Sequence, residues 1–427
     1  MRRVALAAIV LHSLPASAAD GLLGYYRQPA LHGDTVVFYA ESDLWKVPVQ
    51  GGTAQRLTTH LERERFPCIS PDGKMVAFTA SYDGTHEIYV MPLEGGRPTR
   101  LTHEGVSGRR GPRAVTWKSN HELVYATWYF AVRDTHQLAV LDIKTGRKKV
   151  LPLEQASDGE FGDDGETLYF TRLPRQGSFA KRYRGGLIEN LWRFRAGDKE
   201  AVPLTADYAG TSRAPMVWKR RLYFATDRDG TMNLWSMNLE GKDLRQHTEF
   251  VAWDVLSPSL HEGRIVFRNR ADIWMYDVDR DAARKLDIRL ASDFDQKRER
   301  WVSNPLSYLN SWYISHDGKL VGLTVRGRGY VLPAKPGRVV RLKQEAESRI
   351  RDLRFLPGTK DVIYLSDQSG EMEFWRQSAD GLGEPMQVTE GGTTMRHDGI
   401  PSPNGKLLAH TDRNQVLSIR DLASGAE

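Results

Sequence analysis

Apolar residues in this chain fall in short runs broken by turn residues, and no long stretch carries the clean 3.6-residue period of an amphipathic helix. Strand is the predicted element. The runs sit in a recurring phrase: an acidic or amide residue, an aliphatic, an aromatic, a variable residue and an aliphatic, then a Gly-containing turn and a short strand ending in Leu-Thr. It reads Asp43-Leu44-Trp45 with Gly51-Gly52 and Arg56-Leu57-Thr58, then Glu87-Ile88-Tyr89 with Gly95-Gly96 and Arg100-Leu101-Thr102. Further copies are anchored at Leu138, Leu191, Leu234 and Ile273, and then at Tyr330, Phe374 and Val416. Successive anchors lie 44, 50, 53, 43, 39, 57, 44 and 42 residues apart. That spacing clusters near roughly 40 to 50 residues, the length of one four-stranded propeller blade.

Two further signals fix hairpins within each copy. Ile69-Ser70-Pro71-Asp72-Gly73-Lys74, Ile314-Ser315-His316-Asp317-Gly318-Lys319 and Pro401-Ser402-Pro403-Asn404-Gly405-Lys406 combine a strand end with an Asp-Gly or Asn-Gly turn that tolerates positive φ. Gly84, Gly230 and Gly370 each stand four residues before an anchor. Three hairpins at fixed offsets make a four-stranded antiparallel blade, whose apolar faces need neighbouring blades. The predicted fold class is all-β: a six-bladed β-propeller followed by about three blades of an incomplete second β-propeller. The longest gap holds the charged string Asp293 to Arg300, which suits a boundary between cores. The expected domains are a six-bladed propeller over 20–293 and a partial second propeller over 294–427. The last copy stops after the turn that follows its third strand, the shape expected of a truncated reading frame.

Composition narrows the function classes. Lys and Arg number 60 against 54 Asp and Glu, with the signs interspersed, so nothing in the +6 net charge indicates a nucleic-acid partner. Cys68 is the single cysteine, which excludes an intrachain disulfide and any CxxC zinc or redox motif. At the N-terminus, Arg2 and Arg3 precede an apolar run from Val4 to Leu14, then Pro15 and the small residues Ala16 to Ala19. This is the pattern of a secretory signal over 1–19, cleaved after Ala18 or Ala19. The run is too short to span a bilayer of roughly 30 Å, and no later segment is longer, so an exported, periplasmic or secreted protein with no membrane partner after cleavage is expected.

Six blades, a break and the start of another propeller, with Ser-Pro-Asp-Gly-Lys hairpins and Asp-Leu-Trp…Gly-Gly…Arg-Leu-Thr phrases, resemble the N-terminal half of tricorn-type proteases. The resemblance covers residues 21 to 427. It implies a six-bladed and then a seven-bladed propeller ahead of a PDZ module and a serine-peptidase core of the tail-specific (S41) type. TolB-type and prolyl oligopeptidase propellers share the blade phrases, but the ring count and the absence of an α/β domain after the signal favour tricorn.

No catalytic residue is expected within the chain. Its nearest approach to a Gly-x-Ser-x-Gly elbow, Gly105-Val106-Ser107-Gly108, lacks the second spacing. The histidines form no metal-ligating pair, and no cofactor or metal is indicated. Asp227-Arg228-Asp229-Gly230-Thr231-Met232-Asn233 opens like a calcium loop but lacks the distal Glu, and reads as a hairpin turn. The resemblance further implies that arginines on a first-propeller loop hold the carboxylate of a peptide. Arg133 is the best match by place within the blade, followed by Arg109 and Arg110, each competing with an ordinary solvated loop arginine. Trp45, Trp192, Trp235, Trp274 and Trp375 recur at one strand position, which marks blade packing. The resulting expectation is a substrate-gating, peptide-binding portion of a secreted tricorn-like serine peptidase, taking peptides or unfolded polypeptide and self-associating through a full-length parent. The alternatives are a stand-alone TolB-like periplasmic interaction module and a propeller that binds or processes a glycan or small ligand.

Overall fold

A computed structural model describes residues 25–427 except 106–110, 132–134, 174–183, 294–297, 300 and 303. The chain forms two compact units, one ending at Lys297 and one beginning at Arg298. Among the described residues, the first holds six sheets and the second three. All are antiparallel within a blade and run in simple order, so the strand next in sequence is the strand next in space. Among the described residues, no helix is long and apolar enough to cross a membrane.

Each recurring phrase is the outer half of a blade. In the second blade, strands Glu64–Ile69, Met75–Ala80, Glu87–Pro92 and Thr99–Arg100 run from the inside outward, with Asp72-Gly73 turning the first hairpin and Gly84 the second. The Leu-Thr ending has a specific task. The threonine hydroxyl accepts from the backbone N–H of the aliphatic anchor: Leu44 N to Thr58 at 2.8 Å, Ile88 N to Thr102 at 2.9 Å, Leu191 N to Thr205 at 3.0 Å, Leu234 N to Thr248 at 2.9 Å. Where the preceding residue is Glu or Asn, the same hydroxyl donates to it, as Thr102 does to Glu87 at 2.6 Å and Thr248 to Asn233 at 2.9 Å. That acid or amide also receives the N–H groups of the connector leaving the blade, Glu104 and Gly105 on Glu87 and Phe250 on Asn233. Buried polar groups need such partners, which is why the position is acidic or amidic instead of apolar.

Apolar clusters form between blades. Six of them in the first unit each mix residues of two adjacent blades. One joins the last blade to the first, with Val266, Ile273 and Met275 against Val36, Phe38 and Trp45. The ring is therefore closed. Among the described residues, no strand of the four-stranded blades themselves is exchanged at this junction. Instead, the chain leaving the sixth blade adds strand Ile288–Leu290 in parallel to the outer edge of the first, Gly52–Arg56. Gly51 and Gly52 permit it: Gly51 sits at φ +96°, and a Cβ there would lie 2.5 Å from the Asp287 carbonyl, which accepts from Gly52 N at 2.7 Å. The Tyr26 hydroxyl donates to the Ile288 carbonyl at 2.8 Å, and Arg264 pairs with Asp34 at 2.7 Å. His261 Nδ1 accepts from Gly33 N at 3.0 Å while its ring lies 4.1 Å from that of His32.

Of the repeated tryptophans, Trp45 is fully buried and the other four are half-buried at cluster margins. In the second unit, clusters link its first blade (309–341) to its second (350–387) and the second to the third (396–421). The two terminal blades leave large apolar side chains uncovered, including Trp312 at 60% and Leu417 at 67% exposure.

Candidate functional site

Among the described residues, the innermost strand of each first-unit blade carries an edge with no strand beyond it, and together these edges line an axial cavity of about 390 Å³. They are Arg27–His32, Glu64–Ile69, Arg113–Trp117, Asp158–Phe161, Ser212–Trp218 and Val255–His261. An open edge is a template for another chain. Four of these edges are blunted in one way. A register shift interrupts the pairing after Arg27, Arg65, Arg213 and Leu256, and the next residues, Gln28, Phe66, Ala214 and Ser257, take positive φ of 51°, 55°, 54° and 50°. Each is followed by proline, Pro29, Pro67, Pro215 or Pro258, which has no N–H to offer a passing strand. Side chains of the preceding blade satisfy freed amides: Phe66 N donates to Gln28 Oε1 at 2.9 Å and Ala214 N to Thr171 Oγ1 at 3.3 Å. The wall is held by inter-blade bonds and cannot be zipped along its length by backbone pairing alone.

Within the cavity, burial pushes the Glu160 carboxyl up to about 8, opposed by a bond from the Val217 N–H, so this acid is neutral at neutral pH. Burial likewise pushes the Cys68 thiol up to about 12, which leaves it unreactive.

The layer just ahead of the bulges is rich in arginine. Arg27, Arg65, Arg113 and Arg213 pair with Tyr39, Thr79, Ala126 and Ala225 of their second strands. In the sixth blade the inner position is Leu256 and its cross-strand partner is Arg268. The fourth blade places Asp158 there, opposite Thr171. Arg213 reaches Glu189 at 3.3 Å. Arg113 lies 5.2 Å over the Phe66 ring and donates to the Ser157 carbonyl. Arg27 and Arg268 share the Tyr25 ring, 4.3 and 5.8 Å from its centroid, and Arg268 Nε is buried with no acceptor. Burial pulls Arg268 below the ordinary guanidinium value, with Tyr25 opposing and the charges of Arg27 and Arg213 adding. Among the described residues, no carboxylate lies within ion-pair distance of Arg27, Arg65 or Arg268.

Arg133, Arg109 and Arg110 lie outside the described residues. Their described flanks, Ala131 and Thr135, Gly105 and Gly111, are at the face where the inner strands begin, because second-to-third hairpins and blade-to-blade connectors both fall there. The arginine layer at the same face was not singled out from sequence. Its signal was present: Arg27-Gln28-Pro29, Arg65-Phe66-Pro67 and Arg213-Ala214-Pro215 repeat Arg-x-Pro at the start of three blades. The calcium-loop-like string forms the second hairpin turn of the fifth blade, with Gly230 N bonded to the Asp227 carbonyl at 2.9 Å. Among the described residues, no group of three or more His, Cys, Asp or Glu is arranged to hold a metal.

Residues 23–282 match the family model for the tricorn protease N-terminal beta propeller domain. The chain is similar to the tricorn protease homolog of Saccharolobus solfataricus, 31% identical over 81% of this chain and 32% of that protein. It is also similar to tricorn protease homolog 1 of Streptomyces coelicolor, 30% identical over 84% of this chain and 34% of that one. The crystal structure of the tricorn protease superposes with a TM-score of 0.69 at 21% identity, covering 95% of this chain and 39% of that chain, which establishes a shared fold. The chain thus spans about a third of the length of these curated relatives.

Proposed function

The chain belongs to the tricorn protease family through its first propeller, and from that premise we propose that this propeller admits, holds or gates peptides for a serine peptidase. The observation that carries the reading is the axial cavity with bulged, proline-bearing inner strands. An extended peptide placed along it meets side chains from six blades, yet four edges cannot zip onto its backbone over their full length, so it can be held without being locked in. A binder that used open strand edges would keep them regular. The stand-alone interaction module remains the second reading; it would place the partner on the outer rim, where the strands are short.

Two experiments test this. A photoreactive phenylalanine at Thr116, on the cavity wall, is expected to crosslink to an extended peptide of ten residues, while one at Val202, on the rim, is not. Crosslinking only at Val202 would move the assignment to the interaction module. Export is proposed from Arg2 to Ala19; expression with the natural N-terminus should give periplasmic protein whose mass lacks the first 18 or 19 residues. Full-length protein retained in the cytoplasm would contradict it.

A further inference from the structure

The arginine layer does more than frame the channel. Guanidinium groups repel one another, and a half-buried cation without a counterion is costly, which applies to Arg65 and Arg268, while Arg27 is exposed. Structural arginines elsewhere in this ring are neutralised: Arg56 pairs with Asp43 at 3.1 Å, Arg100 with Glu87 at 3.0 Å and Arg264 with Asp34 at 2.7 Å. On the inner strands of the first and second blades, and at Arg268, the pattern inverts. Arg27 and Arg268 converge on the exposed Tyr25 ring and Arg65 stands on the neighbouring inner strand, and among the described residues no carboxylate lies within ion-pair distance of any of the three. Glu64, the acid next to Arg65, is no counterion: it is fully buried, receives the Tyr82 hydroxyl at 2.8 Å, and burial holds it protonated well above the ordinary carboxyl range.

We propose that Arg27, Arg268 and Arg65 form a carboxylate-binding collar at this mouth of the channel, which selects peptides bearing acidic side chains. The inference rests on the reading of the channel as a peptide site. Each planar guanidinium can hold a carboxylate by two parallel hydrogen bonds, and the face of Tyr25 orients two of them. The arginines come from three different blades, so the collar suits carboxylates spaced along an extended chain. A single terminal carboxylate would engage one sector of it.

The test uses the full chain and three fluorescent peptides of equal length in an anisotropy titration. One carries Asp and Glu with an amidated C-terminus, the second has Asn and Gln in their place, and the third is the neutral peptide with a free C-terminal carboxylate. The acidic peptide is expected to bind about tenfold or more tighter than the amide peptide, in line with one or two charge-assisted bonds, and to weaken as salt is raised. The double variant Arg27→Gln/Arg268→Gln should bring its affinity down to that of the amide peptide, while Arg27→Lys/Arg268→Lys, which keeps the charge, should retain part of the preference. Equal binding of acidic and amide peptides, a preference that survives the double Gln variant, or a neutral peptide with a free C-terminus that binds as tightly as the acidic one would each overturn the collar and leave the channel reading standing. Absence of binding by all three peptides would overturn both. Unchanged thermal unfolding of the double variant separates loss of the site from loss of the fold.

Discussion

The first blade of the ring and the first blade of the second unit share a plan but not surroundings. Blade one is covered on both faces: Val37 and Leu44 pack toward the second blade, and Val36, Phe38 and Trp45 toward the sixth. The blade at 309–341 buries Val331 and Leu342 against its successor, while along its inner strand Trp312 and Ile314 remain 60% and 58% exposed. The same strand-turn-strand grammar thus yields a two-sided core only where a neighbour stands on each side. Stability in such a repeat resides in junctions as much as in blades.

The comparison can be broken most strongly at the ring junction. Tyr26 is buried in the cluster that joins blades one and six, and Tyr26→Ala should cost about 3–5 kcal/mol, by analogy with large aromatic truncations. Calorimetry should show the first unit's transition moving and the second unit's unchanged. A joint shift of both would contradict the independence of the two cores.

The threonine clasp is common to both units and should behave alike in them. Thr102→Val and Thr389→Val each remove a hydroxyl that bonds an anchor N–H, Ile88 and Phe374, and should each cost about 1–3 kcal/mol. A large cost in only one unit would show that the clasp matters through the ring and not through the blade.

Glu64 supplies a pH-dependent contrast. Its folded-state acid is raised by burial, so it holds its proton more tightly than in the unfolded chain. Its contribution is complete at pH below the ordinary carboxyl value and is lost as pH climbs through and beyond neutrality. Glu64→Gln keeps an acceptor for Tyr82 and should stabilise the first unit by on the order of 1–2 kcal/mol at pH 8.5, with the gain vanishing near pH 4 in denaturant titrations. A gain that grew toward acid would reverse the assigned direction. The smallest effect belongs to the uncovered face: Trp312→Ser should change stability by less than about 0.5 kcal/mol while improving solubility, since most of the side chain is exposed.

The third strand of each blade, and the fourth where one is present, were legible because their phrase is constrained twice. The anchor must fill an inter-blade cluster, and the acid or amide must satisfy both the threonine and the connector amides. The Asp-Gly hairpins were legible through positive φ, as at Gly73 and Gly318. Ring closure was only half legible. Counting blades shows that a ring can close, but the parallel strand Ile288–Leu290 pairs across more than two hundred residues, and Gly51-Gly52 looks like an ordinary turn until Asp287 is seen against it. The arginine layer escaped for another reason. Its residues sit on inner strands, which carry the least repetitive apolar pattern, and in the sixth blade the charge moves to the second strand as Arg268, where no inner-strand motif would find it. Loop arginines drew attention because position within a loop is readable from sequence, whereas convergence on Tyr25 is not.

The most direct test of a peptide path through the first ring is hydrogen exchange, measured by mass spectrometry on the full chain with and without a saturating extended peptide. The expected result is added protection on the inner strands Glu64–Ile69, Arg113–Trp117 and Ser212–Trp218, with the outer strands Thr99–Arg100 and Arg245–Gln246 unchanged. Protection confined to the outer strands, with the inner strands exchanging as before, would contradict it.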